Sequence, residues 1–474
     1  MQQGIVSRPD WAAPFLWQLT QVGLSALFVL LLGYGLFSIP GLVRPSGISL
    51  AGLGLFAAFA LVVVGALFAR SLDRAAWIGF ALLAVALRVV SAAIAASRVS
   101  PGDSYYYLVL AKGLLDGHGF VVFEPYMGVI CRALYPPFYA LLLAGWGGVA
   151  GFSTASLLVM SSAIDLGAAW VLVQIGARLR QERAGRTAAA LYLIWPSVVF
   201  SAPLAQKESL CTLLVLALVH GWLRVTDGDA GRVRGTLAIG IPAALLALTQ
   251  PGEAPLALLL GVALIPLVGW RRILATGMPA AAVAALVMAP WWIRNFLVLG
   301  AFVPLTTSGG IGLWIGNNAE ATGNWMPYPP QLHGLGEVAF AHAAAGIASD
   351  WIIHHRVAFI RLTVAKFLHA TAVGTFGVSR LRAMTPPLPT VLAALLLPLS
   401  HGAYLLLLAG GALAMRVQRN RASAILLALL VACFVQLAAF GVWFEFAERH
   451  REFLTPILLL TIAVMASRTR QVTQ

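Results

Sequence analysis

An all-α protein with about twelve membrane-spanning helices and two long loops on one face is the fold class that the sequence predicts, and three observations carry it. Of the 474 residues, 60% are hydrophobic and only 10% are charged, against roughly a quarter charged in an average soluble domain. Apolar runs long enough to cross a hydrocarbon core of about 30 Å recur along the chain. Two long stretches, near 98–155 and 291–387, interrupt them and are rich in Trp, Tyr, Pro and Gly. A soluble globular protein is excluded.

The runs lie near 16–39, 49–69, 76–97, 156–177, 187–204 and 209–224, then 236–249, 254–269, 274–290, 388–412, 422–443 and 453–467. The first follows Arg8, is too long for a signal-peptide core and has no convincing small-residue cleavage site, so it reads as a retained span. An even number of spans puts both termini on one side. The short linkers on that side hold Arg70 and Arg74, Arg178, Arg180, Arg183 and Arg186, then Arg224, Arg232 and Arg234. Arg271 and Arg272, Arg416, Arg419 and Arg421, and Arg468 and Arg470 follow. More than half of the 31 basic residues thus mark one face, which the positive-inside rule makes cytoplasmic. The formal net charge of +14 is therefore a topology signal and no evidence for a nucleic-acid partner. On this reading residues 1–70 form an additional two-span hairpin and 71–290 a transmembrane core with its first outer loop at 98–155. Residues 291–387 form an outer-face region and 388–474 the last spans. Cys131, Cys211 and Cys433 lie far apart without metal-ligand spacing, which argues against a disulfide framework. No internal repeat is visible, which weakens a transporter built on inverted repeats.

The opposite face holds most of the 17 acids and nine histidines and both long loops, so chemistry belongs there. The first loop opens Pro101-Gly102-Asp103-Ser104-Tyr105-Tyr106-Tyr107 and ends Tyr135-Pro136-Pro137-Phe138-Tyr139. Aromatic rings stack on sugar faces, and a carboxylate takes the proton of an attacking alcohol, so Asp103 with Tyr105, Tyr106 and Tyr135 suits a sugar site. Asp103 after Pro-Gly serves equally as a helix cap. Glu208 and Glu253 bring two further acids to outer junctions, beside short spans broken by Pro and Gly. Arg88, Asp165 and His220 are the conspicuous ionisable groups away from span ends, and a packing pair accounts for them better than an ion path.

The second loop begins Pro290-Trp291-Trp292-Ile293-Arg294-Asn295 and continues through Gly316-Asn317-Asn318-Ala319-Glu320-Ala321-Thr322-Gly323. Arg294 beside two tryptophans suits a phosphate at the membrane surface, or a plain interfacial belt. Ile353, Val357, Ile360, Val364 and Phe367 recur at helical spacing, with His354, His355, Arg361, Lys366 and His369 on the remaining surface. That pattern predicts an amphipathic helix lying on membrane lipids. Glu445, Glu448, Arg449, His450, Arg451 and Glu452 crowd the last outer hairpin, where Arg449 or Arg451 suits a lipid phosphate and a solvated cap is the alternative.

Together these segments resemble the polytopic GT-C glycosyltransferases that use polyprenyl-phosphate sugars, the bacterial family-39-like enzymes related to protein O-mannosyltransferases and lipid A aminoarabinose transferases. Three parts carry the likeness over about residues 76–467. They are Asp103 with Tyr-Pro-Pro-Phe-Tyr downstream, the Pro-Trp-Trp-Ile-Arg-Asn to Gly-Asn-Asn-Ala-Glu-Ala-Thr-Gly stretch, and Arg-His-Arg before the last span. The resemblance implies a GT-C-type fold and an inverting transfer from an undecaprenyl-phosphate sugar at the periplasmic face of a bacterial inner membrane. Asp103 would deprotonate a hydroxyl of an envelope glycan, lipid or protein acceptor. Lys207, Arg294, Arg449 and Arg451 are candidates for the donor phosphate, and Tyr105, Tyr106, Tyr135, Glu208, Glu253 and Asn317 for the sugar or acceptor. Two departures stand out. Leu134-Tyr135 replaces the Glu-Lys that aminoarabinose transferases carry before the Pro-Pro pair, the glutamate being a metal ligand, and Ser104 and Tyr106 stand where they have Glu and a nearby Arg. No obligatory metal is expected, with Glu208 or His118 left as ligands of a different divalent-cation site. A ligase or polymerase using a diphosphate-linked glycan, or a lipid-linked sugar flippase, are the competing readings. The flippase would need more polar groups inside the bilayer than Arg88, Asp165 and His220.

Overall fold

The computed structural model describes residues 14–472 except 70–71, 97, 229–231 and 417–419. Arg8, Arg70 and Arg419 lie outside the described residues, as do the side chains of Arg232, Arg468 and Arg470. The chain opens with α1 (Pro14–Val43), α2 (Leu50–Phe68) and α3 (Arg74–Ala95), then α4 (Asp103–Leu115), a hairpin of β1 (Val122–Glu124) and β2 (Val129–Cys131), and α5 (Pro137–Ala150). Next come α6 (Thr154–Arg178), α7 (Glu182–Leu193), α8 (Pro196–Ser201), α9 (Glu208–Asp227), α10 (Arg232–Ala247), α11 (Leu256–Ala263), α12 (Ile265–Val268) and α13 (Trp270–Leu299). The second long loop holds α14 (Ser308–Gly316), α15 (Glu337–His354), α16 (Arg356–Ala372) and α17 (Val378–Arg382), before α18 (Thr390–Ala414), α19 (Arg421–Gln436) and α20 (Leu454–Val472).

Among the described residues nine helices are long and apolar enough to cross a membrane, and Pro137–Ala150, Val233–Ala247 and Leu454–Ser467 are shorter apolar ones. The protein is a multi-pass membrane protein. Leu30, Phe37, Leu61 and Leu82 on the first three helices are exposed, a surface that only lipid covers at low cost. Side-chain caps start several helices: Ser49 accepts from the Gly52 N–H, Asp73 from that of Ala76 and Ser153 from that of Ser156.

Most spans fall where the apolar runs put them, with some differences. The run at 187–204 is not one helix, because Pro196 lacks the N–H that α7 would need to continue, and the chain restarts as α8. The run at 274–290 extends through Pro279 and Pro290 to Leu299, where Gly300 at φ 64° caps it, so the second loop starts ten residues later than expected. The first loop carries the two-stranded hairpin, with Val122 opposite Cys131, and the apolar α5. The amphipathic segment is also broken, at His355 between α15 and α16. Ile353, Val357, Ile360 and Val364 are exposed as its pattern requires, but Lys366 is buried.

Inside the bundle α6 packs on α7 and α9, α10 on α9 and α13, and α18 on α1, α2 and α20. Arg88 of α3 meets Asp165 of α6 at 3.0 Å, and the Tyr192 hydroxyl donates to the same carboxylate at 3.2 Å. These groups form the expected packing pair and tie three helices together. His220 accepts from Arg178 Nε at 2.9 Å, while Arg178 and Arg421 both reach Asp227, at 3.0 and 2.6 Å.

Buried Glu337 joins the two long loops. Its carboxylate accepts the backbone N–H groups of Arg132 and Ala133 at 2.6 and 2.8 Å and the Thr307 hydroxyl at 2.7 Å. Glu337→Ala leaves those three donors without an acceptor. It is expected to cost about 3 kcal/mol and to open the Arg132–Thr307 contact first, read as a lower melting temperature and faster proteolysis within the loops.

Candidate active site

Asp103 reaches its place because the chain turns sharply after α3. Gly102 sits at φ 66°, a conformation that residues with a Cβ rarely adopt, and Asp103 begins α4 directly after it. The cap position is held by Gly102 without any side-chain bond, so the carboxylate is not a helix cap. It turns instead to two cations from distant segments. Asp103 Oδ2 lies 2.9 Å from Arg449 Nη1 and 3.6 Å from Lys207 Nζ.

Lys207 stands at the start of α9, buried beside the first loop. Its ammonium donates to the Tyr107 hydroxyl at 3.3 Å and lies 5.3 Å from that ring centre. Next to it the Gln206 amide donates to the Ser104 hydroxyl, which locks α4 to the same turn. Arg449 belongs to the 3-10 turn Glu448–Arg451 and also reaches Glu445 at 3.3 Å and His450 Nε2 at 3.2 Å. Glu448 fixes that turn by accepting from the Thr375 N–H and hydroxyl and from the Ser379 hydroxyl.

Burial works to raise the Asp103 carboxyl, but Arg449, Lys207 and Arg380 outweigh it and hold it well below the usual carboxylate range. Burial also opposes the Lys207 charge, and its neighbours Tyr107 and Asp103 overcome this and raise it. His450, by contrast, is pushed well below the usual imidazole range by burial and then by Arg449, so it is a neutral ring beside a charged pair.

An aromatic wall continues from the carboxylate. Tyr106 stacks on Tyr135 at 5.2 Å between ring centres, Tyr107 meets Tyr135 edge-on at 5.4 Å and Tyr139 at 5.1 Å, and the half-exposed Tyr105 packs on Tyr106 at 5.6 Å. Glu208 and Glu253 are both buried and interact with each other. Neither Glu208 oxygen nor Glu253 Oε2 has a hydrogen-bond partner among the described residues. Glu208 also lines a small cavity with Tyr192, Ser197, Val198, Ser201, Thr212, Phe376 and Glu452.

Three expected site residues are engaged elsewhere. Arg451 is buried, donating to the Ala370 carbonyl at 2.8 Å and to that of Val373, with its guanidinium 3.5 Å from the Tyr404 ring centre. Asn317 is buried between the Leu313 and Trp443 carbonyls, where the Lys366 ammonium donates to the Gly316 carbonyl at 2.9 Å. Arg294 donates to the Arg132 and Phe120 carbonyls and stacks 4.8 Å from the Trp291 ring centre, so it clamps α13 to the first loop. In each case backbone oxygens satisfy the donors that a phosphate or sugar would need. His118 is exposed on the first loop, and among the described residues no three His, Cys, Asp or Glu side chains come together as metal ligands. Sequence reasoning missed Tyr107, Gln206 and Arg380. The first sat inside the quoted tyrosine run, whereas nothing in Val378-Ser379-Arg380-Leu381-Arg382 distinguishes which arginine turns inward.

The crystal structure of the Archaeoglobus fulgidus oligosaccharyltransferase in complex with Zn and sulfate superposes with a TM-score of 0.52 at 16% identity, over 84% of this chain and 49% of that one. The chain has a GT-C fold. It spans about half the length of that enzyme. The structure of ArnT from Cupriavidus metallidurans bound to undecaprenyl phosphate matches at a TM-score of 0.39 and 16% identity, over 85% of this chain and 79% of that one. No protein-family model and no curated protein matches the sequence.

Within this GT-C fold the ion pair makes a direct prediction. Arg449→Met removes the strongest of the cations opposing burial at Asp103, so the carboxyl pKa must rise. Difference infrared spectroscopy, with Asp103→Asn subtracted, is expected to show Asp103 protonating at a higher pH in the variant than in the parent, with Lys207 and Arg380 still opposing burial. Identical titrations would contradict the pairing.

Proposed function

We propose that the protein is an inverting glycosyltransferase that moves a sugar from a polyprenyl-phosphate donor, undecaprenyl phosphate in a bacterial inner membrane, to a hydroxyl of an acceptor at the outer face. The observation that carries this reading is the meeting of Asp103 with Lys207 and Arg449 beside a wall of tyrosines. The GT-C fold shared with an oligosaccharyltransferase supports glycosyl transfer as the reaction class.

The chemistry follows from the charges. Both ion pairs use Oδ2 of Asp103, which leaves Oδ1 as the oxygen for an acceptor hydroxyl on this reading. As Oδ1 takes the hydroxyl proton, the acceptor oxygen bonds to the anomeric carbon from the side opposite the leaving group. The bond from that carbon to the phosphate oxygen breaks, and its electron pair leaves on polyprenyl phosphate. One displacement inverts the anomeric centre. Negative charge grows on the phosphate, and on this reading Lys207 and Arg449, already held beside Asp103, are the cations that offset it. Tyr106 and Tyr135 offer a stacked face for a sugar ring, with Tyr105 at its rim. The orphaned oxygens of Glu208 and Glu253 supply acceptors for sugar hydroxyls.

The oligosaccharyltransferase was crystallised with Zn, which makes a divalent cation compatible with the fold. The residues around Asp103 do not suit one. Lys207, Arg449 and Arg380 surround the carboxylate, and a metal ion there would have to displace two paired cations. No step of the transfer runs through a metal.

Purified protein with polyprenyl-phosphate sugars and membrane extract as acceptor source is expected to release free polyprenyl phosphate. Asp103→Asn should lower the rate by about 100-fold or more, the usual worth of a general base. Equal release by the variant would remove Asp103 from the mechanism and favour a ligase using a diphosphate-linked glycan, whereas no release with any donor would favour a flippase.

A further inference from the structure

We infer that His401 is a positioning residue through which the first two helices hold Arg449 against Asp103. Its consequence for catalysis rests on the transferase reading, whereas its effect on the ion pair does not. His401 lies buried in α18, and both of its ring nitrogens are engaged. The Gly374 N–H donates to Nδ1 at 3.2 Å, so Nδ1 carries no proton and the Nε2–H donates to the Gly35 carbonyl of α1 at 3.0 Å. One imidazole thus joins α1 to the chain that follows α16. The backbones approach closely there, because a Cβ on Gly35 would lie 2.8 Å from the Ala372 carbonyl oxygen and 2.7 Å from Leu405 Cδ2. Around this point α1 and α2 both pack along α18, and α1 also packs on α16.

A histidine bonded at both nitrogens is ordinarily a packing device. Here the segment it grips, residues 370–375, is the seat of the turn that carries Arg449. Arg451 donates to the Ala370 and Val373 carbonyls, and Glu448 accepts from the Thr375 N–H and hydroxyl, so the turn is held to this segment on both sides of Arg449. From α18 the Tyr404 hydroxyl donates to the Thr371 carbonyl at 2.6 Å and the Ser400 hydroxyl to that of Gly374 at 3.0 Å. His401 extends this attachment from α18 to α1. At the far end of the chain of contacts, Arg449 Nη1 lies 2.9 Å from Asp103 Oδ2. Removing the imidazole leaves the buried Gly374 N–H without its acceptor, and the segment must move to satisfy it. Such a movement carries the Arg449 guanidinium with it and weakens its hold on the carboxylate.

The test follows the ionisation of Asp103 by difference infrared spectroscopy, together with the rate of polyprenyl-phosphate release, in the full-length protein in lipid nanodiscs. His401→Phe keeps the bulk of a ring and removes both bonds. Ser49→Ala is the control, because it removes another bond from the first helices to α18, that of the Ser49 hydroxyl to the Ala394 carbonyl, and with it the cap of α2. Both changes are expected to lower the melting temperature. Only His401→Phe should raise the pH at which Asp103 protonates and slow release at saturating donor, by about 10-fold or more. His401→Gln, which keeps one donor and one acceptor, is the milder replacement if His401→Phe does not fold, and it should shift Asp103 in the same direction by less. An Asp103 titration that does not move in a folded His401 variant, or that moves equally in Ser49→Ala, overturns the positioning role. A parent that releases no polyprenyl phosphate overturns the transferase reading instead, and the titration still decides the role of His401.

Discussion

The ion pair between Asp103 and Arg449, with Lys207 on the same oxygen, is the constraint around which the candidate site is arranged. It joins the turn after α3, the start of α9 and the hairpin before α20, segments that the sequence separates by more than three hundred residues. A carboxylate and two cations brought this far out of water are costly to hold, and the cost falls only when each has its partner. The surrounding structure reflects this. Glu448 fixes the Arg449 turn from below, Gln206 fixes Ser104, and Gly102 supplies a backbone conformation that no other residue adopts easily.

A pairing of this kind has a chemical consequence for a general base. A carboxylate held well below its usual range is ionised and ready, but a weak proton acceptor while both cations stay on it. In the proposed transfer, an anionic donor that draws part of that positive charge toward its own phosphate strengthens Asp103 as the base in the same step. On the proposed reading substrate binding and base activation are then one electrostatic event, beside the stacked rings of Tyr106 and Tyr135.

Much of the fold was legible because membrane insertion imposes a coarse rule: each span needs its length of apolar residues, and the ends of α2, α6 and α18 fall close to the composition changes. The rule fails where backbone chemistry intervenes. Pro196 ends a helix and begins another within one apolar run, whereas Pro279 and Pro290 are absorbed inside α13, and hydropathy does not distinguish the two outcomes. At the site, Asp103, Lys207 and Arg449 were identifiable as ionisable residues at the ends of apolar runs. The role of Arg451, two positions from Arg449, was not, because facing inward or toward the Ala370 and Val373 carbonyls is decided by the turn and not by residue type. Asn317 and Arg294 show the same effect: polar residues in a long loop look available until the loop folds back and its own carbonyls take up their donors.

A double-mutant cycle between Asp103→Asn and Arg449→Gln, read as thermal unfolding of the full-length protein, tests the central pairing most directly. If the two side chains meet as described, each single change is destabilising and the double change costs less than their sum, with a coupling of about 1 kcal/mol or more. Strict additivity would show that the two groups do not interact and would contradict the arrangement of the site.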